Sequence, residues 1–395
     1  MEYQSPQNDT CNITDIPVPP SCAGLDEPIM RLHLYSDEQL RMYFYTPFQE
    51  VLVTVMYPLV SAFGLFGNVA FLLVVLCNPH MRTITNFYLA NLAVADLIFV
   101  LFETGHVLWQ CVALQGLNFG SIFSTRAGCF AAITVTYLTY FASVCIVVLV
   151  SFERFMAVCH PLRSRRMRTM KRTVILIAIS WFVALLFAVI VALLIGNMIT
   201  FCIVWPNTDT YASLPNLHHM CAVGKVPHMF VFQFVQGVPF FVALVLNTYF
   251  YARILCRLSR RAVTRDDQRL NNVRTRRSVV RMLAINSVIF FVCLAPNHLI
   301  NWANLYAQLA EEQFHNSNWF YTLAIIMRFT LLVNSAVNPY VYGAINMEYR
   351  VAFYQTLARG RCCGRSGTTV REVSSWNQKT TEMRMSLTST RNSSQ

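Results

Sequence analysis

The chain has 395 residues, 55% of them hydrophobic and 13% charged, with a mean hydropathy of +0.44 and a formal net charge of +12. Soluble domains carry roughly 25% charged residues, so lipid must solvate much of this chain, and its length allows about seven spans of roughly 20 apolar residues. The basic excess does not point to nucleic acid, because Lys and Arg fall between apolar stretches instead of interleaving with aromatics on one face.

Residues 1–49 form a polar tail containing Pro6, Pro17, Pro19, Pro20 and Pro28. No apolar core follows a basic start, so no cleavable signal peptide is expected. Two sequons, Asn8-Asp9-Thr10 and Asn12-Ile13-Thr14, make Asn8 and Asn12 the expected glycosylation sites of a tail outside the cell. Seven apolar stretches follow, at about 50–77, 86–112, 126–159, 171–196, 228–258, 276–304 and 317–343. Each can cross roughly 30 Å of hydrocarbon at 1.5 Å per residue. Only a helix satisfies its backbone polar groups within a single apolar run. The expected fold is therefore all-α, a seven-helix transmembrane bundle over residues 50–343.

Orientation follows from the basic residues. With the N-terminus outside, the inner segments hold 26 of the 31 Lys and Arg residues: Arg82, seven from Arg154 to Arg172, ten from Arg253 to Arg281, and eight from Arg350 onward. The outer segments hold Arg31, Arg41, Arg126 and Lys225, and Arg328 lies within the seventh stretch. This asymmetry fits the positive-inside rule. In 344–361, Tyr349, Val351, Phe353, Tyr354 and Leu357 give a partly amphipathic pattern, expected as a short helix on the inner membrane face. Cys362-Cys363 suits palmitoylation, a second lipid anchor. The Ser/Thr-rich remainder, 362–395, reads as a disordered cytoplasmic tail open to phosphorylation. The thirteen cysteines show no metal-ligand spacing, and several fall inside apolar runs, where a free Cys acts as a small hydrophobe.

A charge inside the bilayer costs at least about 2.5–3.5 kcal/mol on insertion scales, so each needs a reason. Asp96 has plausible partners on other spans: Asn68, Ser143, Asn334, Ser335 and Asn338. Two readings stay open, a hydrogen-bonded packing network and a site for a small cation held by hard oxygen ligands. Glu153-Arg154 ends the third span. It reads either as a snorkelling interfacial pair or as a switch whose Arg is released to a partner.

These residues resemble the rhodopsin-like G-protein-coupled receptors across nearly all of 50–360. The ordered set is Gly67-Asn68, Leu92-Ala93-Val94-Ala95-Asp96-Leu97, Cys129, Glu153-Arg154-Phe155, Trp181, Pro239, Phe290-x-x-Cys293-Leu294-Ala295-Pro296 and Asn334-Ser335-x-x-Asn338-Pro339-x-x-Tyr342, covering all seven spans in order. The resemblance implies a sodium-binding polar network at Asp96, Ser143, Asn334 and Asn338, with an allosteric sodium ion as the one possible bound ion and no cofactor. It implies a G-protein switch at Glu153, Arg154, Asn338, Pro339 and Tyr342, and a disulfide from Cys129 to the second outer loop, with Cys221 favoured over Cys202. Cys11, Cys22 and Cys202 leave room for a second outer disulfide whose pairing sequence does not fix. The implied partners are a heterotrimeric G-protein, arrestin and receptor kinases acting through the tail, and membrane lipid. The implied location is the plasma membrane.

Departures accompany the match. Leu294 replaces the sixth-span tryptophan, Asn247 stands where the fifth span usually has tyrosine, Arg276 stands where an acid often faces Arg154, and the first outer loop around Leu117-Asn118-Phe119-Gly120 lacks its usual tryptophan. The aminergic Asp position holds Thr136 and the opsin Lys position holds Leu332, which disfavours both ligand classes. The outer mouth offers Glu103, His106, Gln110, Tyr137, Asn297, His298, Asn301, Trp302 and Arg328, groups suited to a peptide backbone or amide. Arg328 either holds a ligand carbonyl or carboxylate through its fork of donors or pairs with Glu103. Tyr137 and Arg328 are similar in position to contacts in thyrotropin-releasing hormone receptors, so an extracellular neuropeptide is the expected ligand. Phe141, where those receptors use Asn, argues against the same peptide. The other readings are a receptor for a non-peptide small molecule and a weakly signalling receptor-like protein. An enzyme is not expected, since no nucleophile–base pair or metal motif is present. Nor is a transporter, since no repeated halves or broken mid-membrane helices are seen.

Overall fold

A computed structural model describes residues 22, 29–31, 40–117, 120–121, 123–222, 226–262, 270–310 and 318–358. Asn8, Asn12, Cys11, Cys362 and Cys363, with the sites expected there, lie outside the described residues. The helices are α1 (Pro47–Cys77), α2 (Ile84–Ala113), α3 (Arg126–Cys159), α4 (Pro161–Met167), α5 (Met170–Ile195), α6 (Val226–Ala262), α7 (Leu270–Leu309), α8 (Asn318–Ile345) and α9 (Met347–Phe353). Seven of them, all but α4 and α9, are long and apolar enough to cross a membrane, so the chain is a multi-pass membrane protein.

Local chemistry sets the helix starts. Thr46 accepts from the Gln49 backbone while the Gln49 side chain accepts from Thr46 N, a reciprocal cap that begins α1 three residues before the hydropathy boundary. Thr83, Thr125 and Thr169 cap α2, α3 and α5 by accepting from Asn86, Gly128 and Arg172 N–H groups. Within α1, residues Leu52–Met56 form a π turn just ahead of Pro58. Proline has no N–H for the helical ladder and crowds the preceding turn, so the backbone widens there.

The bundle is organised around α3, which packs on α2, α5 and α6, while α8 packs on α7, α1 and α2. A continuous apolar core fills its inner half, from Phe71 and Leu92 through Ile146, Val147 and Phe240 to Leu283 and Tyr342. Apolar side chains such as Phe63, Phe66, Phe182 and Val245 face outward, as lipid contact requires. At the end of the bundle expected to face outward, called the outer end, β1 (Ile29–Arg31) lies parallel to β2 (Asn197–Val204), and β2 pairs antiparallel with β3 (Leu217–Ala222). A second apolar cluster of Leu40, Leu114, Leu117, Phe201, Ile203 and Trp205 underlies this sheet. The outer face thus carries a small cap with its own core, built from the tail and two loops. At the inner end α9 follows α8 directly; Tyr349 hydrogen-bonds Asn86 and stacks on Phe71, their ring centroids 6.0 Å apart.

Candidate functional site

Two disulfides fix the outer end. Cys129 bonds Cys221 with Cα atoms 5.6 Å apart, the pairing the resemblance implied. Cys22 bonds Cys202 across 6.0 Å, tying the tail to the second outer loop. The first outer loop is held from both sides: Gln110 Nε2 donates to Gly120 O at 3.0 Å and Ser121 N donates to His219 O at 2.6 Å.

Beneath the cap lies a cavity of about 410 Å³. Glu103, His106, Tyr137, Asn297, Asn301 and Arg328 all line it, so six of the seven ligand-contact residues expected from sequence converge. His106 sits between Phe102 and Phe123 in a nearly parallel stack, with centroids 6.3 and 5.6 Å away. Tyr137 makes edge contacts with Tyr140 and Phe232. The seventh residue, His298, is 2% exposed and does not line the cavity. Its Nε2 lies 3.1 Å from the Tyr140 hydroxyl and its ring stacks on Phe240 at 4.1 Å, so it supports the wall from behind. Trp302 also turns away: its ring packs edge-on against Phe234 and over Gly237 on α6.

Charge inside the cavity is sparse. Glu103 is buried and Arg328 is exposed to the cavity, and no ion pair joins them. The two charges still attract across the cavity, but they make no contact ion pair, so each keeps its hydrogen-bonding capacity. Thr136 lines the cavity, but its hydroxyl donates back to Ala132 O at 3.1 Å.

Below the cavity, Asn338 Nδ2 donates to Asp96 Oδ2 at 2.7 Å, and Asn68 Nδ2 donates to Ser335 O at 3.0 Å. Ser143, Asn334 and Ser335 form the cavity floor above this network. The Oδ1 atoms of Asn68, Asn334 and Asn338 are buried without a hydrogen-bond partner, as is the Tyr342 hydroxyl. Such a surplus of acceptors around a carboxylate suits a small hard cation. The residues present thus fit the sodium site expected from sequence.

At the inner end, Arg154 meets both Glu153, at 3.3 Å, and the Thr85 hydroxyl. Sequence did not single out Arg168, whose Nε lies 2.8 Å from the other Glu153 oxygen. Nor did it reveal the node formed by Ser151, Asn247, Tyr251 and Ser287. Ser151 Oγ donates to Asn247 Oδ1, and it lies 3.2 Å from the Tyr251 hydroxyl, which in turn lies 3.4 Å from Ser287. A buried tyrosine does join α6 to α3 and α7, one turn beyond the position where its absence was noted. The Tyr249-x-Tyr251 pair was the available signal.

Comparison with known proteins gives a consistent picture. The family model described as 7 transmembrane receptor (rhodopsin family) matches residues 67–342. Neuromedin U receptor homolog nmur-2 of Caenorhabditis elegans is 28% identical, over 77% of this chain and 78% of its own. The allatostatin-A receptor of Bombyx mori is 30% identical, over 77% and 79%. The thyrotropin-releasing hormone receptor of Bos taurus is 25% identical, over 77% of each.

Proposed function

Since the chain belongs to the rhodopsin family of seven-transmembrane receptors, we propose that it is a plasma-membrane receptor, not an enzyme, that binds an extracellular neuropeptide and activates a heterotrimeric G-protein. Its N-terminus lies outside and its tail inside, where receptor kinases and arrestin act. Three relatives named for neuromedin U, allatostatin A and thyrotropin-releasing hormone support a peptide ligand.

The observation that carries the reading is that Glu103 and Arg328 share one cavity, opposite charges that attract without making a contact ion pair. A carboxamide satisfies both, because its carbonyl accepts from the guanidinium fork and its N–H groups donate to the carboxylate. A free carboxylate would meet repulsion from Glu103. The preferred ligand end is therefore an amide, from the peptide backbone or an amidated terminus.

Activation proceeds by population shift. The ligand moves the equilibrium by its differential affinity for the active arrangement. Pro239, Pro296 and Pro339 lie inside α6, α7 and α8, where each missing N–H permits a bend. Opening of the inner face frees Arg154 from Glu153 and Thr85, and a helix of the G-protein occupies the groove. Asn338 and Tyr342 belong to the moving segment, and Asp96 with Ser143 and Asn334 forms the polar hinge, which a sodium ion would stabilise in the resting arrangement.

Screening amidated and free-acid peptides on cells expressing the chain, with calcium and cyclic-nucleotide readouts, tests the reading. Activation by amidated peptides, weakened in Glu103→Gln and Arg328→Gln, is expected. Activation by a non-peptide alone, or none despite surface expression, would favour the small-molecule or weakly signalling alternatives.

A further inference from the structure

Thr169, Thr264 and Ser278, all at the inner end, follow arginine runs: Arg165-Arg166-Met167-Arg168, Arg260-Arg261 and Arg274-Thr275-Arg276-Arg277. The structure separates them. Ser278 is half-buried and its Oγ donates to Ile345 O at 3.0 Å. Thr264 lies outside the described residues. Thr169 is exposed, and its Oγ1 accepts from the Arg172 N–H at 3.4 Å.

The surroundings of Thr169 suit a kinase cleft, which takes its substrate extended. Thr169 caps α5 with φ −122° and ψ 145°, and Arg168 before it has also left the helix, at φ −84° and ψ 84°. The preceding arginines sit on α4, which has seven residues and no side-chain cap. So short a helix is marginal on its own, and its opening would extend residues 165–169 as one segment. Arg163, Arg165 and Arg166 are exposed and make no ion pair among the described residues. A kinase that selects its substrate by charge therefore finds them available.

We propose that Thr169 is a phosphorylation site for an arginine-directed Ser/Thr kinase, and that its phosphate draws Arg168 away from Glu153. In the transfer, Thr169 Oγ1 bonds to the γ-phosphorus of ATP. The bond from that phosphorus to the β–γ bridging oxygen breaks, its electrons leave on ADP, and the hydroxyl proton passes to the kinase's catalytic carboxylate. The product carries a charge of about −1.5 to −2 and three strong acceptor oxygens. It lies one residue from Arg168, at the positive N-terminus of a long helix whose first-turn N–H groups help to hold it. Arg168 is 38% exposed, so its 2.8 Å contact with Glu153 is weak enough to be exchanged for a stronger anion. Losing that contact loosens the carboxylate that restrains Arg154. The effect on signalling rests on the receptor reading; the modification itself does not.

The test treats purified full-length receptor in detergent with ATP, magnesium and a cyclic-AMP-dependent or a calcium–calmodulin-dependent protein kinase. Mass spectrometry should find phosphate on Thr169, and less of it in the Arg165→Gln/Arg166→Gln double variant. Thr169→Asn keeps a capping oxygen without an acceptor hydroxyl and serves as the blank. No Thr169 phosphate with either kinase, or an undiminished amount in the double variant, would overturn the proposal and leave the arginine run to the anionic inner leaflet. Phosphorus NMR reads the capture of Arg168 directly. The second ionisation of the phosphate, ordinarily at about pH 6, should lie lower in the parent than in Arg168→Gln; equal values would refute the capture. With G-protein added, the phosphorylated parent should exchange nucleotide up to about twice as fast as the untreated one, while Arg168→Gln should gain nothing from phosphorylation. An exchanging receptor whose rate ignores the phosphate would overturn the link to Glu153. Thr169 phosphate that titrates as expected, in a chain that exchanges no nucleotide in any variant, would count against the receptor reading alone.

Discussion

Arg168 and Glu153 are joined across the inner surface: the Arg168 Nε lies 2.8 Å from one carboxylate oxygen while the other oxygen faces Arg154. One acid thus ties the end of the second inner loop to the third span and holds the switch arginine at once. In the absence of an acid at 276, this carboxylate is the charged restraint on Arg154 among the described residues, beside the Thr85 hydroxyl. Glu153→Gln removes both attractions. A partly exposed pair contributes about 0.5–1 kcal/mol, so basal nucleotide exchange should rise about two- to fivefold. Arg168→Ala should raise it less than Glu153→Gln, since Arg168 is 38% exposed and already partly screened. Basal exchange measured in membranes at equal receptor density checks this; a fall in Glu153→Gln would exclude the restraint.

Arg154→Ala should abolish ligand-stimulated nucleotide exchange without reducing surface expression. The side chain is partly exposed and held by Thr85 and Glu153, not by the apolar core, so its loss leaves packing intact. Flow cytometry of a tagged receptor beside an exchange assay separates the two effects. Normal signalling by the variant would remove Arg154 from the mechanism.

Helices α1 and α8 approach closely at Gly64. A Cβ built there would lie 3.0 Å from Ala336 Cβ and 3.2 Å from its Cα, and neither atom belongs to a flexible side chain. Small residues at such crossings let backbones pack closely in a membrane. Gly64→Val should therefore push the helices apart and cost about 1–3 kcal/mol, read as a lower melting temperature of the purified receptor. Because Asn68 bridges the same two helices through Ser335 O, the variant should also weaken sodium-dependent stabilisation.

The spans were legible because hydropathy and helix length are both set by the bilayer; the Thr caps that fix several of their starts were not read from the sequence. The convergence of Glu103, His106, Tyr137 and Arg328 was legible through span order together with the resemblance that places Tyr137 and Arg328 at receptor contact positions. His298 was not: next to Asn297 on the same helix, it is turned by about 100°, and the aromatic stack on Phe240 that holds it away is a tertiary contact. The outer cap was hidden for a similar reason. The pairing of 29–31 with 202–204 joins segments far apart in sequence, and three residues carry no periodic signal. The partner of Cys22 was equally unreadable, since pairing depends on proximity that the cap itself creates.

His218 makes that cap sensitive to acid. It is 2% exposed, its ring stacks on Phe201, and its Nε2 lies 2.7 Å from Pro215 O. Burial, with the neighbouring His219 as a smaller contribution, holds its imidazole below the ordinary value of 6.5, while the Pro215 carbonyl opposes the shift. The folded cap therefore binds the proton less readily than the unfolded segment does. Stability is full above the unfolded value, is lost as pH falls from about 6.5 toward the lowered folded value, and levels off below it. Amide hydrogen exchange in residues 197–222 of the full-length receptor should accelerate between pH 7 and pH 5, once corrected for intrinsic exchange rates. His218→Phe keeps an aromatic ring against Phe201 but cannot take a proton, so its corrected exchange should be flat across that range. A slope as steep in His218→Phe as in the parent would assign the acid sensitivity to another group.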